Sequence, residues 1–339
     1  MASEAPPFWW EKSDWRAWML WPVSAVYGAV ARYRLDNAPR EEVPLPVLCI
    51  GNFTVGGAGK TPVAIAFAET ARALGRTPGF LSRGHGGSLT HPHLVDPQKD
   101  SARLVGDEPL LLAAHGPVAV SADREGAAKL LQEAGCDFII MDDGFQSARI
   151  HIDFALLVVD GVSGLGNGHV IPGGPMRAPL ADQLRHGDAV LVMGEGDAGD
   201  YVVRKAARAG KPVHRARVEV VNGDAFCKKR VFAFAGIGDP SKFYASLRGA
   251  GADIAATRNF GDHHPYSDDE LEELVSAAKT ARAKLVTTAK DAVRLSGGSS
   301  LARSVAGRVL VLNIRARFET SATGDRIVTE TLNSFRLRR

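Results

Sequence analysis

The sequence predicts an α/β protein: a mainly parallel sheet with helices on both faces, a second, smaller α/β domain, and an N-terminal interfacial helix. Three observations carry this. Short β-branched runs alternate with helical stretches from Leu45 onward, and that alternation builds parallel sheets whose strands are joined through helices. A glycine-rich stretch, "NFTVGGAGKTPVAI" at 52–65, links an apolar run to a helical one. The alternating pattern restarts after a polar break, "NGDAFCKK" at 222–229.

The elements follow in order. "VLCI" at 47–50 reads as a strand, and "TPVAIAFAETARALG" at 61–75 as a helix. "PGFLS", "PVAVS" and "DFIIMDD" are strands, with the helix "REGAAKLLQEAG" before the last of them. "FALLVVD", "DAVLVMG" and "VHRARVEVV" extend the sheet. The second series holds the strand "RVFAFAGIG", the helices "SKFYASLRGAGA" and "SDDELEELVSAAKTARA", then the strands "KLVTT" and "RVLVLNI". Ser267 caps the second helix, whose first turn favours the carboxylates that follow. The expected organisation is 1–35 as an aromatic membrane-interface helix, 36–223 as the first domain, and 224–339 as a C-terminal α/β domain.

The amino terminus stands apart because all five tryptophans fall between Trp9 and Trp21. The uncharged run from Ala17 to Ala31 contains Pro22 and is shorter than the roughly 20 residues that a spanning helix needs. Glu11 and Asp14 stand where a signal peptide would be positive. Indole rings settle at the headgroup level, and Arg32 and Arg34 suit lipid phosphates, so the expectation is a helix lying in the membrane surface. Ordinary burial of the same aromatics against the protein is the alternative.

Composition excludes several classes. With 339 residues, 45% hydrophobic and 23% charged, the chain is globular and long enough for two domains. A net charge of +3 with scattered basic residues argues against nucleic acid. Cys49, Cys136 and Cys227 lie far apart, without zinc spacing or a disulfide framework, which points to a reducing, cytosolic compartment. No obligate protein partner is evident.

The loop at 54–61 carries the chemistry. Thr54, Val55, Gly56, Gly57, Ala58, Gly59, Lys60 and Thr61 match the phosphate-loop pattern except that Thr54 occupies its first glycine position. The glycines let backbone amides approach phosphate, Lys60 supplies charge, Thr61 offers a hydroxyl to Mg²⁺, and Pro62 suits the first turn of a helix. "FIIMDDGFQ" places Asp142 and Asp143 at the end of an apolar strand, where a metal-binding acid belongs. The first domain is therefore of P-loop NTPase type, with ATP and Mg²⁺ as expected ligands. In "TTAKDAV", Lys290 stands directly beside Asp291, so the guanine motif N-K-x-D is absent and GTP is disfavoured. A P-loop switch or a ligase acting on another substrate are the alternatives. "HPH" at 91–93, "HID" at 151–153 and "GLGNG" at 164–168 lack the spacing of metal or dinucleotide sites.

With those motifs in view, the chain resembles the tetraacyldisaccharide 4'-kinases, the lipid A 4'-kinase family of Gram-negative bacteria. The resemblance covers most of the chain and rests on the phosphate loop together with "SRGHGG" at 82–87, "GDEP" at 106–109, "SADR" at 121–124, "DDGFQ" at 142–146, "GNGHVIPGGPMR" at 166–177, "AGIGDP" at 235–240, "DHHPY" at 262–266 and "TTAKDAVRL" at 287–295. It implies transfer of the ATP γ-phosphoryl group to the 4'-hydroxyl of an acylated glucosamine disaccharide 1-phosphate, at the cytoplasmic face of the inner membrane, by a peripherally bound enzyme. It also implies that Lys60 is catalytic and holds β and γ phosphates, that Thr61, Asp142 and Asp143 hold Mg²⁺, and that Asp107 and His263 form a base dyad. In that dyad Asp107 accepts or orients the hydroxyl and His263 tunes it or passes the proton on, with His264 the competing residue. Arg83, Arg124 and Arg177 are substrate candidates, because a planar guanidinium suits phosphate; structural ion pairing is the other reading. The chain departs from the family pattern at His85 for an aromatic, at Ala178 for an acid, and at Asp239 for asparagine.

Overall fold

The computed structural model describes residues 5–147 and 149–339. Thirteen strands run through them: β1 (Val47–Asn52), β2 (Pro78–Ser82), β3 (His93–Leu94), β4 (Val118–Val120), β5 (Phe138–Asp142), β6 (Phe154–Asp160), β7 (Ala189–Met193), β8 (Val213–Val220), β9 (Arg230–Ala235), β10 (Asp253–Asn259), β11 (Lys284–Thr288), β12 (Leu310–Leu312) and β13 (Ile314–Phe318). Nine form a sheet in the order β13-β8-β7-β6-β1-β5-β2-β4-β3, and four form a second in the order β10-β9-β11-β12. The larger sheet is parallel except where β3 meets β4 and where β13 meets β8. The smaller is parallel throughout.

β1, β5, β6 and β7 are buried along their whole length, as parallel strands covered on both faces must be. Alternation along β1 sends Val47 and Cys49 to one core, and Leu48 and Ile50 to the other. The second core receives Val63, Ala64 and Phe67 of the helix Lys60–Ala73 and Ile327 and Val328 of the helix Ala322–Arg338. These two helices approach closely at Gly324, where a Cβ would lie 2.7 Å from Thr70 Oγ1.

The expected segment 224–339 divides between the two sheets. The polar break at 222 leads into the smaller sheet, but after β12 the chain returns and β13 pairs antiparallel with β8. The two crossings run side by side: Asn222 Nδ2 donates to Val311 O at 2.8 Å, and Asn313 N donates to Asn222 Oδ1 at 3.0 Å. "RVLVLNI" reads as one strand, whereas Asn313 breaks it and the next residues cover what would otherwise be an open edge of β8.

The N-terminal segment is two helices, Trp15–Met19 and Trp21–Asn37, after a short 3-10 turn at Pro7–Trp9. Asp14 caps the first by accepting from Arg16 N and Ala17 N. Pro22 lies in the first turn of the second, where its missing N–H costs nothing. Ala17, Ser24, Gly28 and Leu35 face inward, while Trp15, Trp18, Met19, Trp21, Val23, Val26, Tyr27, Val30 and Tyr33 are exposed. The "GLGNG" stretch and the residues after it form the seat: Asn167 N donates to Trp9 O at 2.7 Å, and Gly173 N donates to Ser24 Oγ at 3.0 Å. Arg32 is engaged by Asp182 at 2.7 Å, and Asp36 by Arg185, so Arg32 serves docking rather than the lipid contact expected of it. Among the described residues no helix is long and apolar enough to cross a membrane.

Candidate active site

β1 delivers the phosphate loop, and the helix Lys60–Ala73 leaves it. Gly56 and Gly59 take φ of +102° and +81°, the left-handed region where a side chain is strained. Thr54 is tolerated because the chain there is extended, bridging to Met176, while Val55 N donates to Pro175 O at 2.9 Å. The 166–177 loop thus braces the phosphate loop as well as the N-terminal helices.

The acid pair closes one side. Thr61 Oγ1 donates to Asp142 Oδ2 at 3.1 Å. Asp143, held at φ 57°, takes both arms of Arg177 at 2.9 and 3.0 Å, and Lys60 Nζ lies 3.7 Å away. Arg177 also donates to Thr54 O at 3.2 Å. The two acids are driven apart in acidity. Burial, with the charge of Glu108, pushes Asp142 up to about 7. Burial also opposes ionisation of Asp143, but Lys60 and Arg177 outweigh it and hold that carboxyl below its ordinary value. Asp142 Oδ1 is buried without a hydrogen-bond partner, and the neighbouring donor is a hydroxyl. An all-oxygen set with an unused carboxylate oxygen fits Mg²⁺, which takes few protein ligands and keeps water; among the described residues no cluster of three His, Cys, Asp or Glu converges on a tighter site.

Asp107 begins the helix Asp107–Ala113, under the larger sheet's face, and His263 lies in the loop after β10 of the smaller one. His263 Nδ1 stands 3.0 Å from Asp107 Oδ2 and 3.1 Å from Oδ1. A carboxylate only accepts, so Nδ1 carries the proton and Nε2 is left as the basic atom. His263 rises above its ordinary value, first through this bond. Asp107 is held well below the carboxylate range: burial opposes this, but the bond to His263 and the charges of Arg294 and Lys290 prevail. His264 instead meets Glu270 at 2.9 Å, which separates the two histidines.

Arg124 is buried with both Nη atoms unpartnered, and burial pushes it down to about 10. The charge of exposed Arg83 also lowers it, placing a second cation on the same side. Arg294, Lys290 and Asp291, all within "TTAKDAVRL", are site residues that the sequence motifs alone do not assign. Lys290 pairs with Glu108, and Arg294 with Asp107. The i, i+4 spacing of the two cations was the signal.

Comparison with known families matches residues 16–333 to Tetraacyldisaccharide-1-P 4'-kinase. The chain belongs to the tetraacyldisaccharide 4'-kinase family. Named tetraacyldisaccharide 4'-kinases from Chelativorans sp. (strain BNC1) and Mesorhizobium japonicum are each 55% identical to it, over 99% and 100% of this chain and 98% and 99% of theirs. A solved LpxK from Aquifex aeolicus, in complex with ATP, superposes with a TM-score of 0.73 at 26% identity, covering 93% of this chain and 99% of that one. This member of the tetraacyldisaccharide 4'-kinase family is thus a phosphotransferase with a P-loop α/β fold. Two of its departures have local accounts: Asp239 caps the helix Pro240–Gly249 by accepting from Ser241 N at 3.1 Å, and His85 lies edge-on to His263 at 6.2 Å between ring centroids.

Proposed function

We propose that the chain transfers the γ-phosphoryl group of ATP to the 4'-hydroxyl of a tetraacyldisaccharide 1-phosphate, with Mg²⁺, while lying peripherally on the cytoplasmic face of the inner membrane. The observation that carries the reading is the Asp107–His263 pair facing a phosphate loop whose acids are split in charge. Lys60 would hold β and γ phosphate oxygens, and Thr61 with Asp142 and Asp143 would hold the metal. Bound Mg²⁺ supplies neutralisation of the charge on the transferring group.

The dyad's roles follow from its saturation. Asp107 accepts from Glu108 N at 3.0 Å, from His263, and twice from Arg294, so it orients rather than takes a proton. His263 Nε2, 3.7 Å from its nearest carboxylate oxygen at Asp262, accepts the 4'-hydroxyl proton as that oxygen bonds to the γ-phosphorus and the β–γ bridging bond breaks. Of the roles the resemblance left open, Asp107 takes the orienting one and His263 takes the proton. Arg177 braces Asp143 and the loop. Arg124 and Arg83 supply guanidinium groups to phosphate oxygens, including the acceptor's 1-phosphate.

The exposed aromatic face supports a membrane surface. Small residues point inward and indoles outward, the inverse of a helix packed by its apolar side. The acceptor's acyl chains remain in the bilayer, so the enzyme meets it there.

Purified protein with ATP, Mg²⁺ and the lipid 1-phosphate in detergent is expected to give a bis-phosphorylated product. Folded protein that makes none, or that makes product only with a soluble acid, overturns the reading in favour of a P-loop switch or ligase.

A further inference from the structure

Arg294 lies on the helix Ala289–Ser296 of the smaller sheet's unit, with a side chain only 7% exposed. One of its nitrogens faces that unit's own groups: Nη1 donates to Gly236 O at 2.7 Å and to Asp291 Oδ1 at 2.7 Å. Asp291 is fixed in turn, accepting from Gly236 N at 3.1 Å, from Tyr266 Oη at 2.7 Å and from Thr288 Oγ1 at 2.6 Å. The remaining edge of the guanidinium points out of the unit. Nε and Nη2 donate to Asp107 Oδ2 at 2.9 and 2.7 Å.

A free aspartate rotates broadly about χ2. A planar fork bonded on its other side to backbone and to Asp291 has no such freedom, and a lysine cannot reproduce two fixed donors converging on one oxygen. We propose that Arg294 is a positioning residue that reaches across from the smaller unit to clamp the Asp107 carboxylate, and through it fixes the direction in which His263 presents Nε2. This rests on the reading of His263 as proton acceptor.

The clamp also has an electrostatic consequence. The charged and titratable groups facing His263 are Asp107, Asp262 and Lys290, with His85 edge-on. Glu108 is held by Lys290, and His264 by Glu270. Arg294 is the cation that touches Asp107, so it offsets the anion next to the imidazole. Removing the charge leaves Asp107 more effective in retaining a proton on His263, and removing only the fork does not.

The test compares Arg294→Gln and Arg294→Lys in the full chain, by pH–rate profiles with ATP and lipid acceptor in detergent and by NMR titration of the His263 ring. Arg294→Gln is expected to lower kcat roughly 10- to 100-fold with ATP KM kept, and to move both the acid limb and the His263 titration to higher pH. Arg294→Lys is expected to leave the limb in place and restore only part of kcat. A limb and ring titration unmoved in Arg294→Gln, with only thermal stability lost, overturns the proposal. Should that variant not fold, undiminished kcat in Arg294→Lys overturns it. The underlying reading fails separately, if His263→Ala keeps full kcat.

Discussion

Asp107 Oδ2 and His263 Nδ1 stand 3.0 Å apart although 156 positions of sequence separate them, and they belong to the units of different sheets. The dyad therefore exists only when the two units are docked, and its chemistry reports on that docking.

Its pH dependence has a definite sign. If His263 accepts the proton as proposed, its neutral form is the active one, and Asp107 raises its pKa above the ordinary value. Turnover should rise with pH through a midpoint above about 6.5. Asp107→Asn removes the anion, so the midpoint should fall toward lower pH while limiting kcat drops on the order of 10²-fold. The pair's contribution to folding runs the other way. It is fully present below the unfolded-state value and is lost as pH rises through the raised one. A pH–rate profile and a pH series of melting curves check both limbs.

The acid pair predicts a proton linked to the metal. Asp142, pushed up to about 7 by burial and the charge of Glu108, must lose its proton to hold a cation. Magnesium-dependent ATP binding should tighten as pH rises from about one unit below that value to about one unit above it, with proton release on binding. Calorimetry in buffers of different ionisation enthalpy measures the release. Asp142→Asn should abolish it, and equal release in that variant would count against Asp142 as the group responsible.

Arg177 separates bracing from substrate contact. Both its arms hold Asp143 at 2.9 and 3.0 Å. Arg177→Ala leaves that acid beside Asp142 without its hydrogen-bonding cation, with Lys60 and the charge of Arg124 remaining, and charge-assisted bonds of this kind support an expected rise of about tenfold in ATP KM. Lipid KM should stay close to its original value. The opposite split would return Arg177 to the acceptor.

Gly87 tests how finely Asp107 is placed. A Cβ there would lie 2.5 Å from Leu104 O, 2.9 Å from Val105 C and 3.1 Å from Gly106 N, all backbone. No flexible side chain is available to move aside, so the turn that starts the Asp107 helix must shift. Gly87→Ala should cost about 1–3 kcal/mol of stability by overpacking. It should also lower kcat more than ATP KM, measured by denaturant unfolding and steady-state kinetics.

What could be read from the sequence was whatever local periodicity encodes. Strand alternation, the glycines around Lys60, and Asp142 and Asp143 at the end of β5 each follow from a short window, and the structure places them together. What could not be read depends on return paths and long-range pairing. β13 joins β8 because an edge needed a partner, and nothing in "IRARF" names that edge. Nothing near Arg294 in the sequence names its partner, which lies 187 positions away. Arg32 looked free for lipid because its carboxylate, Asp182, comes 150 residues later.

The N-terminal helices give the last prediction. Trp15, Trp18 and Trp21 are 68%, 62% and 54% exposed, so replacing them removes little packing within the protein. The inward face and the Arg32–Asp182 and Asp36–Arg185 pairs that dock the helices are left intact. Changing all three to serine should therefore leave the melting temperature nearly unchanged. Burying a large apolar side chain at an interface contributes about 1.5–3 kcal/mol, so the triple variant should lose vesicle binding by tenfold or more, roughly. Sedimentation with anionic vesicles, alongside kcat on lipid dispersed in detergent, separates anchoring from chemistry. Vesicle binding should fall while turnover in detergent stays near its original value. Undiminished sedimentation would mean that the outward indoles do not meet the bilayer.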